Sequence, residues 1–348
     1  MRSLYVIEPG AWLKRSGEAL HIVKDGAVIR EIPSKGLERL LLSGYVSLTG
    51  GVLDFLIKNR IETVFITPTG RFRARLMLDE HKHVALRKAQ YAVLADTGRS
   101  LKTAALFVRG KIVNMADFLS ARGRQYRDGE LKNACARLKP LASVCQNAEN
   151  HDAIRGFEGA ASAIYYGVFG RLIRNKRFRF TGRNRRPPLD PVNAMLSYVY
   201  TLLTNEVLSA VKTCGLDPYL GALHEISYGR PSLACDLVEE YRAWLGDRFV
   251  LGLINRRLVS PDDFVYRHPQ QKAFIDETEL KQQRPVEMKP EICRALISAY
   301  EEMMKRNVFY ARLGKRVTYR RLILHQAESC AAYFIDQRES YAPFAWVG

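Results

Sequence analysis

The chain has 348 residues, of which 47% are apolar and 26% are charged. This composition predicts a globular protein of about two domains, and it excludes a wholly disordered chain, a collagen-like repeat and a small disulfide-rich scaffold. Lysine and arginine number 54 against 36 acids, which gives a formal net charge of +18 and a pI near 9.7. A basic excess of this size predicts a polyanionic partner, with nucleic acid ahead of an acidic membrane surface.

The N-terminal segment and the cysteines favour a cytoplasmic protein. The first 25 residues contain no uninterrupted apolar run of the kind found in signal peptides. The sequence also lacks a stretch of about 18 uncharged apolar residues, which argues against a membrane span. The six cysteines form no CxxC pair, which argues against a zinc ribbon, and we expect reduced thiols.

Short apolar runs separated by turn residues predict β structure over roughly residues 1–75. Asp25-Gly26 lies between two alternating runs, a pattern typical of a β-hairpin. One short helix is expected to begin after Thr49 as its N-cap. Its expected apolar face consists of Leu53, Leu56 and Ile57.

Beyond about residue 81 the apolar period becomes helical. Asp190-Pro191 and Asp217-Pro218 each place an N-capping acid before a proline at the first helical position, so each predicts the start of a helix. Ser232 is predicted to cap a third helix, because the Gly-Arg-Pro sequence before it cannot lie inside a helix.

The two patterns together predict the fold class α+β. A small β-strand-rich N-terminal domain, residues 1–78, is followed by a larger all-α domain, residues 79–348. The sequence contains no internal repeat and no low-complexity linker.

The densest basic segment is RLIRNKRFRFTGRNRRPP, residues 171–188. Its basic residues lie close together with no acid among them, and the planar fork of arginine can bond two phosphate oxygens at once. Phe178 and Phe180 either stack on bases or face a core beneath a solvated loop. Together with the net charge, the segment favours contact with nucleic acid.

Glu158 is the first candidate acid. It lies at the edge of the apolar stripe of a predicted helix, where a carboxylate is costly unless a metal ion or an arginine compensates it. Spacing alone favours the alternative, an exposed glutamate paired with Arg155. The expected stripe consists of Ile154, Phe157, Ala161, Ile164 and Val168.

A second candidate group contains a histidine and several acids. His224 is predicted near the end of the second proline-initiated helix, and the next helix carries Asp236 and Glu239 on one face. Imidazole and carboxylate ligands suit Mn²⁺ or Mg²⁺ better than a structural zinc. The same spacing also fits an acidic surface helix and a histidine bonded to a backbone carbonyl. Two further acids nearby, Glu225 and Glu240, prevent the spacing from identifying the ligands.

Several enzyme classes lack support in the sequence. It contains no Walker motif, no GxSxG elbow and no GxGxxG after a predicted strand, and HEISY differs from HExxH in its last residue. These patterns argue against nucleotide hydrolysis, serine hydrolysis and dinucleotide redox chemistry.

The sequence resembles the CRISPR-associated endonuclease and integrase of spacer acquisition, the first-numbered and most widespread Cas protein family. The matching segments are GYVSLTGGVLDFLIKNRIETVFITPTGRF, FEGAASAIYYGVF, FTGRNRRPPLDPVNAMLSYVYTLL, GLDPYLGALHEISYGRPSLACDLVEEYR, DRFVLGLINRR and VTYRRLILHQAESCAAYF. They follow one another over essentially the whole chain, and the combination is specific. One departure is GALHEISYG, where the family pattern has GFLH followed by a more polar loop.

The resemblance implies a divalent metal, Mg²⁺ or Mn²⁺, held by the catalytic residues Glu158, His224 and Glu239. Asp236 would then lie behind the direct ligands or face the nucleic acid. The implied reaction inserts short foreign DNA fragments into the CRISPR array in antiviral defence, by attack of a 3′-OH on a phosphodiester. Tyr165 either stacks on a base or packs within the protein. Residues expected to line the DNA path are Tyr165, Arg183, Arg185, Arg186 and Asn193.

The resemblance also implies partners and leaves two alternatives. The family forms homodimers, two of which flank a small ferredoxin-fold partner protein, and acts on double-stranded and branched DNA. Unpaired strand edges of the β domain are the candidates for dimer contact. The alternatives are a non-catalytic DNA-binding scaffold, in which the acids are structural, and an RNA-directed nuclease with the same site.

Overall fold

The computed structural model describes residues 2–67, 72–76, 83–184, 187–266, 285–336 and 340–346. The chain divides into two compact units, Met1–Lys82 and His83–Gly348. Sheets dominate the first unit and helices the second, which confirms the α+β class. None of the helices in the described residues combines the length and the hydrophobicity that a membrane span needs. All six cysteines are free thiols.

The described part of the N-terminal unit contains two four-stranded sheets and one helix, α1 (Gly50–Lys58). The strands are β1 (Arg2–Val6), β2 (Trp12–Ser16), β3 (Ala19–Lys24), β4 (Ala27–Pro33), β5 (Leu37–Ser43), β6 (Ser47–Leu48), β7 (Glu62–Ile66) and β8 (Phe72–Leu76). One sheet has the order β1-β5-β7-β8 and the other β4-β3-β2-β6. In the first sheet β8 is antiparallel to its neighbour, whereas in the second only β2 and β6 are parallel. The apolar faces of both sheets pack with α1 in one core.

Two local predictions for this unit are confirmed and one needs correction. Asp25 and Gly26 form the turn between β3 and β4 with φ of 49° and 81°, the positive values that a two-residue type I′ turn requires. α1 begins directly after Thr49. Its predicted face is wrong at Ile57, which is 44% exposed. The buried side chains are Val52, Phe55 and Leu56.

The C-terminal unit is built around two long helices. In its described residues the helices are α2 (Val84–Ala95), α3 (Thr97–Tyr126), α4 (Gly129–Val144), α5 (His151–Phe169), α6 (Pro191–Thr213), α7 (Ser232–Val238), α8 (Arg248–Asn255), α9 (Pro290–Lys305) and α10 (Tyr319–Phe334). α3 packs against α4 and α5, and α6 packs against α7 and α10. Most residues of α3 near its middle and of α6 are buried, so side chains on these helices face other helices rather than water.

The prediction of an all-α C-terminal domain is wrong in one respect. Two antiparallel strand pairs lie among the helices: β9 (Phe264–Tyr266) with β10 (Val286–Met288), and β11 (Asn307–Tyr310) with β12 (Lys315–Thr318). Each strand has only three or four residues. A strand this short shows too few residues for its alternation to be distinguished from a helical pattern.

The predicted helix starts have different outcomes. Asp190 caps α6 as expected, since its carboxylate accepts the backbone N–H of Asn193 at 2.9 Å. Ser232 is the first residue of α7 rather than its cap, and its hydroxyl donates to the carbonyl of Glu225 at 3.1 Å. After α7 the chain continues through a 3-10 turn, Glu239–Tyr241, and a π-helical turn, Arg242–Asp247, into α8.

The helix predicted to start at Asp217-Pro218 does not form, and residues 214–231 are irregular. The buried side chain of Gln90 satisfies the backbone there. Its Nε2 donates to the carbonyls of Asp217 at 2.8 Å and Leu220 at 3.1 Å, and its Oε1 accepts the N–H of Asp217 at 2.8 Å. Because a side chain from α2 pairs these groups, the segment needs no helical hydrogen bonds of its own.

We predict that Gln90→Ala destabilises the protein by about 2–4 kcal/mol, because three backbone hydrogen bonds are lost in a buried place. Urea unfolding of the full chain measures the change. Gln146→Ala, at an exposed glutamine, is the control and should remain within about 0.5 kcal/mol of the wild type. Equal stability of the two variants would contradict the role assigned to Gln90.

Candidate metal centre

Glu158 lies within the buried stripe of α5, not at its edge. The predicted stripe is displaced by about one position, since Phe157 is only half-buried. The Glu158 side chain is 29% exposed, and its Oε1 accepts hydrogen bonds from the Ser162 hydroxyl at 3.0 Å and from the Lys111 ammonium. The buried residues of the helix are Ile154, Ala161, Tyr165 and Phe169.

Arg155 does not pair with Glu158, so that alternative is wrong. Its guanidinium binds Asp152 at 2.6 Å and Glu225 at 3.3 Å. Glu225 follows His224 directly in the chain. The Arg155–Glu225 pair therefore brings α5 beside the segment that carries His224.

Asp236 determines the position of His224. Its buried carboxylate accepts the backbone N–H groups of three consecutive residues at 2.6 to 3.1 Å: Ala222, Leu223 and His224. It also bonds His224 Nδ1 at 2.6 Å, which assigns the proton to Nδ1 and leaves the Nε2 lone pair for a metal. A Cβ on Gly221 would lie 2.5 Å from Asp236 Oδ2, so the contact requires glycine there. Of the two roles considered for Asp236, the structure supports a place behind the imidazole and not one facing nucleic acid.

Glu239 is held between two cations on the 3-10 turn after α7. Its Oε1 lies 3.0 Å from Arg242 Nη2, and its Oε2 lies 2.8 Å from Lys111 Nζ. Burial raises its pKa, but Arg242 and Lys111, with a contribution from His224, outweigh that effect and hold the pKa at about 2. Glu239 is therefore ionised at neutral pH.

Lys111 on α3 joins the two glutamates and is not among the site residues predicted from the sequence. Its ammonium contacts Glu158 Oε1 and Glu239 Oε2, while its side chain is only 4% exposed. Burial opposes the charged form, but Glu239 and Glu158 outweigh it and the pKa of Lys111 lies above its ordinary value. The available signal was its place, as a charged residue, in the apolar stripe of α3: Ala104, Val108, Met115 and Phe118.

The donor groups fit a divalent cation. Glu158 and Glu239 converge on one cationic atom, and His224 supplies an imidazole. Oε2 of Glu239 is buried and, within the described part of the chain, has no donor aligned for a hydrogen bond. As the side chains stand, the described residues contain no group of three His, Cys, Asp or Glu around one point. The ammonium of Lys111 fills the place between the two carboxylates.

Glu240 is excluded as a ligand by its own partners. Its buried carboxylate accepts the Phe344 N–H at 2.6 Å and the Tyr341 hydroxyl at 2.9 Å, both from the segment 340–346. Burial raises the pKa of Glu240 to about 8, although these two donors oppose the shift. Neighbouring glutamates on one turn thus have opposite environments.

Two of the residues expected to line the DNA path are buried instead. Tyr165 is fully buried and donates to Asp247 at 2.7 Å, so it packs and offers no face to a base. Asn193 is also fully buried; its Oδ1 accepts from Arg183 at 2.7 Å and its Nδ2 donates to the carbonyl of Gly182 at 2.8 Å. Asn193 therefore holds the loop in place rather than contacting DNA.

Arg183 is half-buried and bonds Asn193 and Ser197. Arg185 and Arg186 lie outside the described residues. Asn193 and Ser197 belong to α6, so that helix holds Arg183 in place. Of the three predicted arginines, Arg183 is the one that the structure describes.

The basic segment is partly neutralised by the chain itself. Arg171 pairs with Asp128 at 2.8 Å and Arg177 with Asp262 at 2.6 Å. Phe178 is buried, which supports the core reading over base stacking. Phe180 likewise packs in the chain, with its ring 4.9 Å from that of Phe169. The exposed basic side chains that remain for an external anion include Arg174, Lys176 and Arg179.

The chain is similar in sequence to the proteins of one known family. A family model described as CRISPR associated protein Cas1 matches residues 4–283. The chain is 35% identical over 352 aligned residues to CRISPR-associated endonuclease Cas1 1 of Chlorobaculum tepidum, which covers 99% of this chain and 98% of the relative.

Two solved structures share the fold. A CAS1 protein from Thermotoga maritima matches with a TM-score of 0.78 at 24% identity, over 99% of this chain and 100% of that one. A casposase bound to integration product matches with a TM-score of 0.78 at 23% identity, over 98% of this chain and 92% of the casposase.

We predict that Glu240→Gln alters how stability depends on pH. An acid whose pKa is about 8 when folded and near 4.5 otherwise releases its proton on unfolding between these pH values. The free energy of unfolding of the wild type should therefore fall more steeply from pH 5 to pH 8 than that of the variant, by about 1 kcal/mol per pH unit. Urea unfolding across this range measures both slopes. Glu302→Gln, at an exposed glutamate, should follow the wild type, and parallel curves for Glu240→Gln would refute the prediction.

Proposed function

The chain belongs to the Cas1 family of CRISPR-associated proteins, and we propose that it is a divalent-metal-dependent DNA endonuclease and integrase of CRISPR adaptation. The observation that carries the proposal is the convergence of two carboxylates, the half-buried Glu158 and the buried Glu239, on one cation near His224. The full-length relative named as an endonuclease supports the nuclease activity. The likeness to the casposase is one of fold, so the joining reaction is part of the proposal.

Glu158, Glu239 and Nε2 of His224 are the groups that would hold Mg²⁺ or Mn²⁺. A divalent ion held there supplies Lewis acidity toward a phosphodiester oxygen and lowers the pKa of an attacking hydroxyl. Two carboxylates and one imidazole form the mixed oxygen and nitrogen ligand set that suits these ions.

The remaining residues position these groups. Arg242 holds the Glu239 carboxylate, and the Ser162 hydroxyl holds that of Glu158. Asp236 keeps the imidazole proton on Nδ1 of His224, so that Nε2 remains a lone-pair donor. Each ligand is thus oriented before a substrate arrives, which phosphoryl transfer requires because it depends mainly on positioning and charge neutralisation.

The nucleophile decides the outcome at one and the same site. With water the phosphodiester is cleaved, whereas with a DNA 3′-OH one phosphodiester is exchanged for another. Strand transfer of this kind needs no ATP, and the sequence contains no Walker motif. The exposed residues Arg174, Lys176 and Arg179 are the candidates for binding the flanking phosphates.

The assembly is part of the same proposal. We propose a cytoplasmic homodimer that acts on double-stranded and branched DNA together with a small ferredoxin-fold partner. The edge strand β4 supports a dimer contact through the N-terminal unit, since its Val28 and Ile29 are 54% and 49% exposed. An edge strand that carries exposed apolar side chains is a ready site for pairing.

We expect Glu158→Ala, His224→Ala and Glu239→Ala each to lower metal-dependent cleavage and strand transfer by at least about a hundredfold, since each removes a proposed ligand. The assay uses a branched DNA duplex with Mg²⁺, with Mn²⁺ and with chelator. Binding of the same duplex in chelator should change by less than about threefold, because the residues proposed to bind the flanking phosphates, Arg174, Lys176 and Arg179, are unchanged.

The exposed variant Glu302→Gln is the control and should retain full activity. Undiminished activity of the three variants would place the metal elsewhere. Tight binding by the wild type without turnover in either metal would favour the DNA-binding scaffold, and cleavage confined to RNA would favour the RNA-directed nuclease.

A further inference from the structure

We infer that Lys111 is an internal counter-cation, which a divalent metal displaces when it binds between Glu158 and Glu239. The inference rests on the proposed function of that site. It assigns to Lys111 a positioning role: it holds the two carboxylates together until a metal takes its place.

The first observation is burial. The Lys111 side chain is 4% exposed and lies in the apolar stripe of the long helix α3. A buried ammonium is strongly unfavourable unless it is paired. Its two partners come from α5 and from the turn after α7, so one charge joins three separate elements of the C-terminal unit.

The second observation is position. The ammonium contacts one oxygen of each carboxylate, Oε1 of Glu158 and Oε2 of Glu239. That Oε2 is buried and has no aligned hydrogen-bond donor among the described residues, so its contact with the ammonium is one of charge, which another cation can replace. A cation bound by both carboxylates has to occupy the space that the ammonium fills.

The third observation is the charge balance. Lys111 and Arg242 carry the positive charges of this cluster, and the carboxylates of Glu158, Glu239 and Asp236 carry the negative ones, so the cluster has a net charge of −1 as it stands. Adding a dication beside the ammonium would leave one uncompensated positive charge. Exchanging the ammonium for the dication leaves the cluster neutral.

This arrangement explains how the site persists without metal. Two carboxylates forced together in a buried place repel each other, and one of them would be driven to protonate. The lysine removes that repulsion and keeps Glu158 and Glu239 at the spacing of a shared cation. The cost is competition, since metal binding has to displace a paired ammonium.

The test is calorimetric titration of Mn²⁺ into the full chain without DNA, comparing wild type with Lys111→Gln. Loss of the competing charge should tighten Mn²⁺ binding by about tenfold or more. In chelator Lys111→Gln should unfold at a lower temperature than the wild type, and excess Mn²⁺ should raise its melting temperature by more. Lys102→Gln, at an exposed lysine on the same helix, removes the same charge and should match the wild type in both measurements.

The outcomes separate the inference from the proposed function. Equal or weaker Mn²⁺ binding by Lys111→Gln, with wild-type binding that Glu239→Gln abolishes, overturns the displacement and leaves the metal site intact. No Mn²⁺ binding by the wild type, or binding that Glu239→Gln leaves unchanged, overturns the metal site and the inference with it.

A measurement on the wild type covers the case in which Lys111→Gln does not fold. A water-soluble amine-acylating reagent, followed by peptide mass spectrometry, reports whether Lys111 is accessible. Mn²⁺ should increase acylation of Lys111 severalfold and leave that of Lys102 unchanged, and Glu239→Gln should abolish the increase. Unchanged acylation of Lys111 in protein that binds Mn²⁺ overturns the inference.

Discussion

The conformation of the candidate centre depends on one buried carboxylate, that of Asp236. It pairs three consecutive backbone N–H groups of the segment before α7 and orients the imidazole of His224. Unpaired, those N–H groups would be costly to bury, and the segment would have no reason to fold back onto α7. Gln90 pairs the backbone of the same segment closer to α6. Two polar side chains thus replace regular secondary structure, and the position of His224 follows from their geometry.

Electrostatics then distinguishes acids that the sequence treats alike. Glu239 and Glu240 are adjacent and both buried, yet the pKa of the first is about 2 and that of the second about 8. Successive residues of a helical turn point in different directions, so Glu239 meets Lys111 and Arg242 while Glu240 meets the neutral donors of residues 340–346. Burial raises the pKa of both, and only the cations reverse its effect. A centre that needs an ionised carboxylate at neutral pH can therefore use Glu239 but not Glu240.

The sequence was informative where local chemistry decides the structure. The Asp25-Gly26 turn, the start of α1 after Thr49 and the Asp190 cap of α6 all follow from preferences of a few adjacent residues. Prediction from the sequence failed where a side chain distant in the chain pairs the backbone groups. Asp217-Pro218 has the sequence of a helix start, but Gln90, 127 residues away, binds its backbone. The candidate acids were reached through family resemblance, because spacing alone left them open. The apolar stripe of α3 marks Lys111 as a charged residue in a buried position, but only the fold shows that its partners are two acids from other elements.

The π-helical turn Arg242–Asp247 connects the centre with the basic segment. In a π-helical turn the first and the sixth residue lie more nearly on the same face than they would in an α-helix. Here these residues are Arg242 and Asp247, and both contact Tyr200. The guanidinium of Arg242 lies 4.8 Å from the centre of that ring, and the Tyr200 hydroxyl donates to Asp247. Arg183, in the basic segment, lies 5.4 Å from the same ring centre. The arginine that holds Glu239 and Arg183 of the basic segment therefore share one aromatic partner. A shift of the basic segment that moved Tyr200 would also move Arg242 and the Glu239 carboxylate, so the position of this segment and the geometry of the centre are coupled.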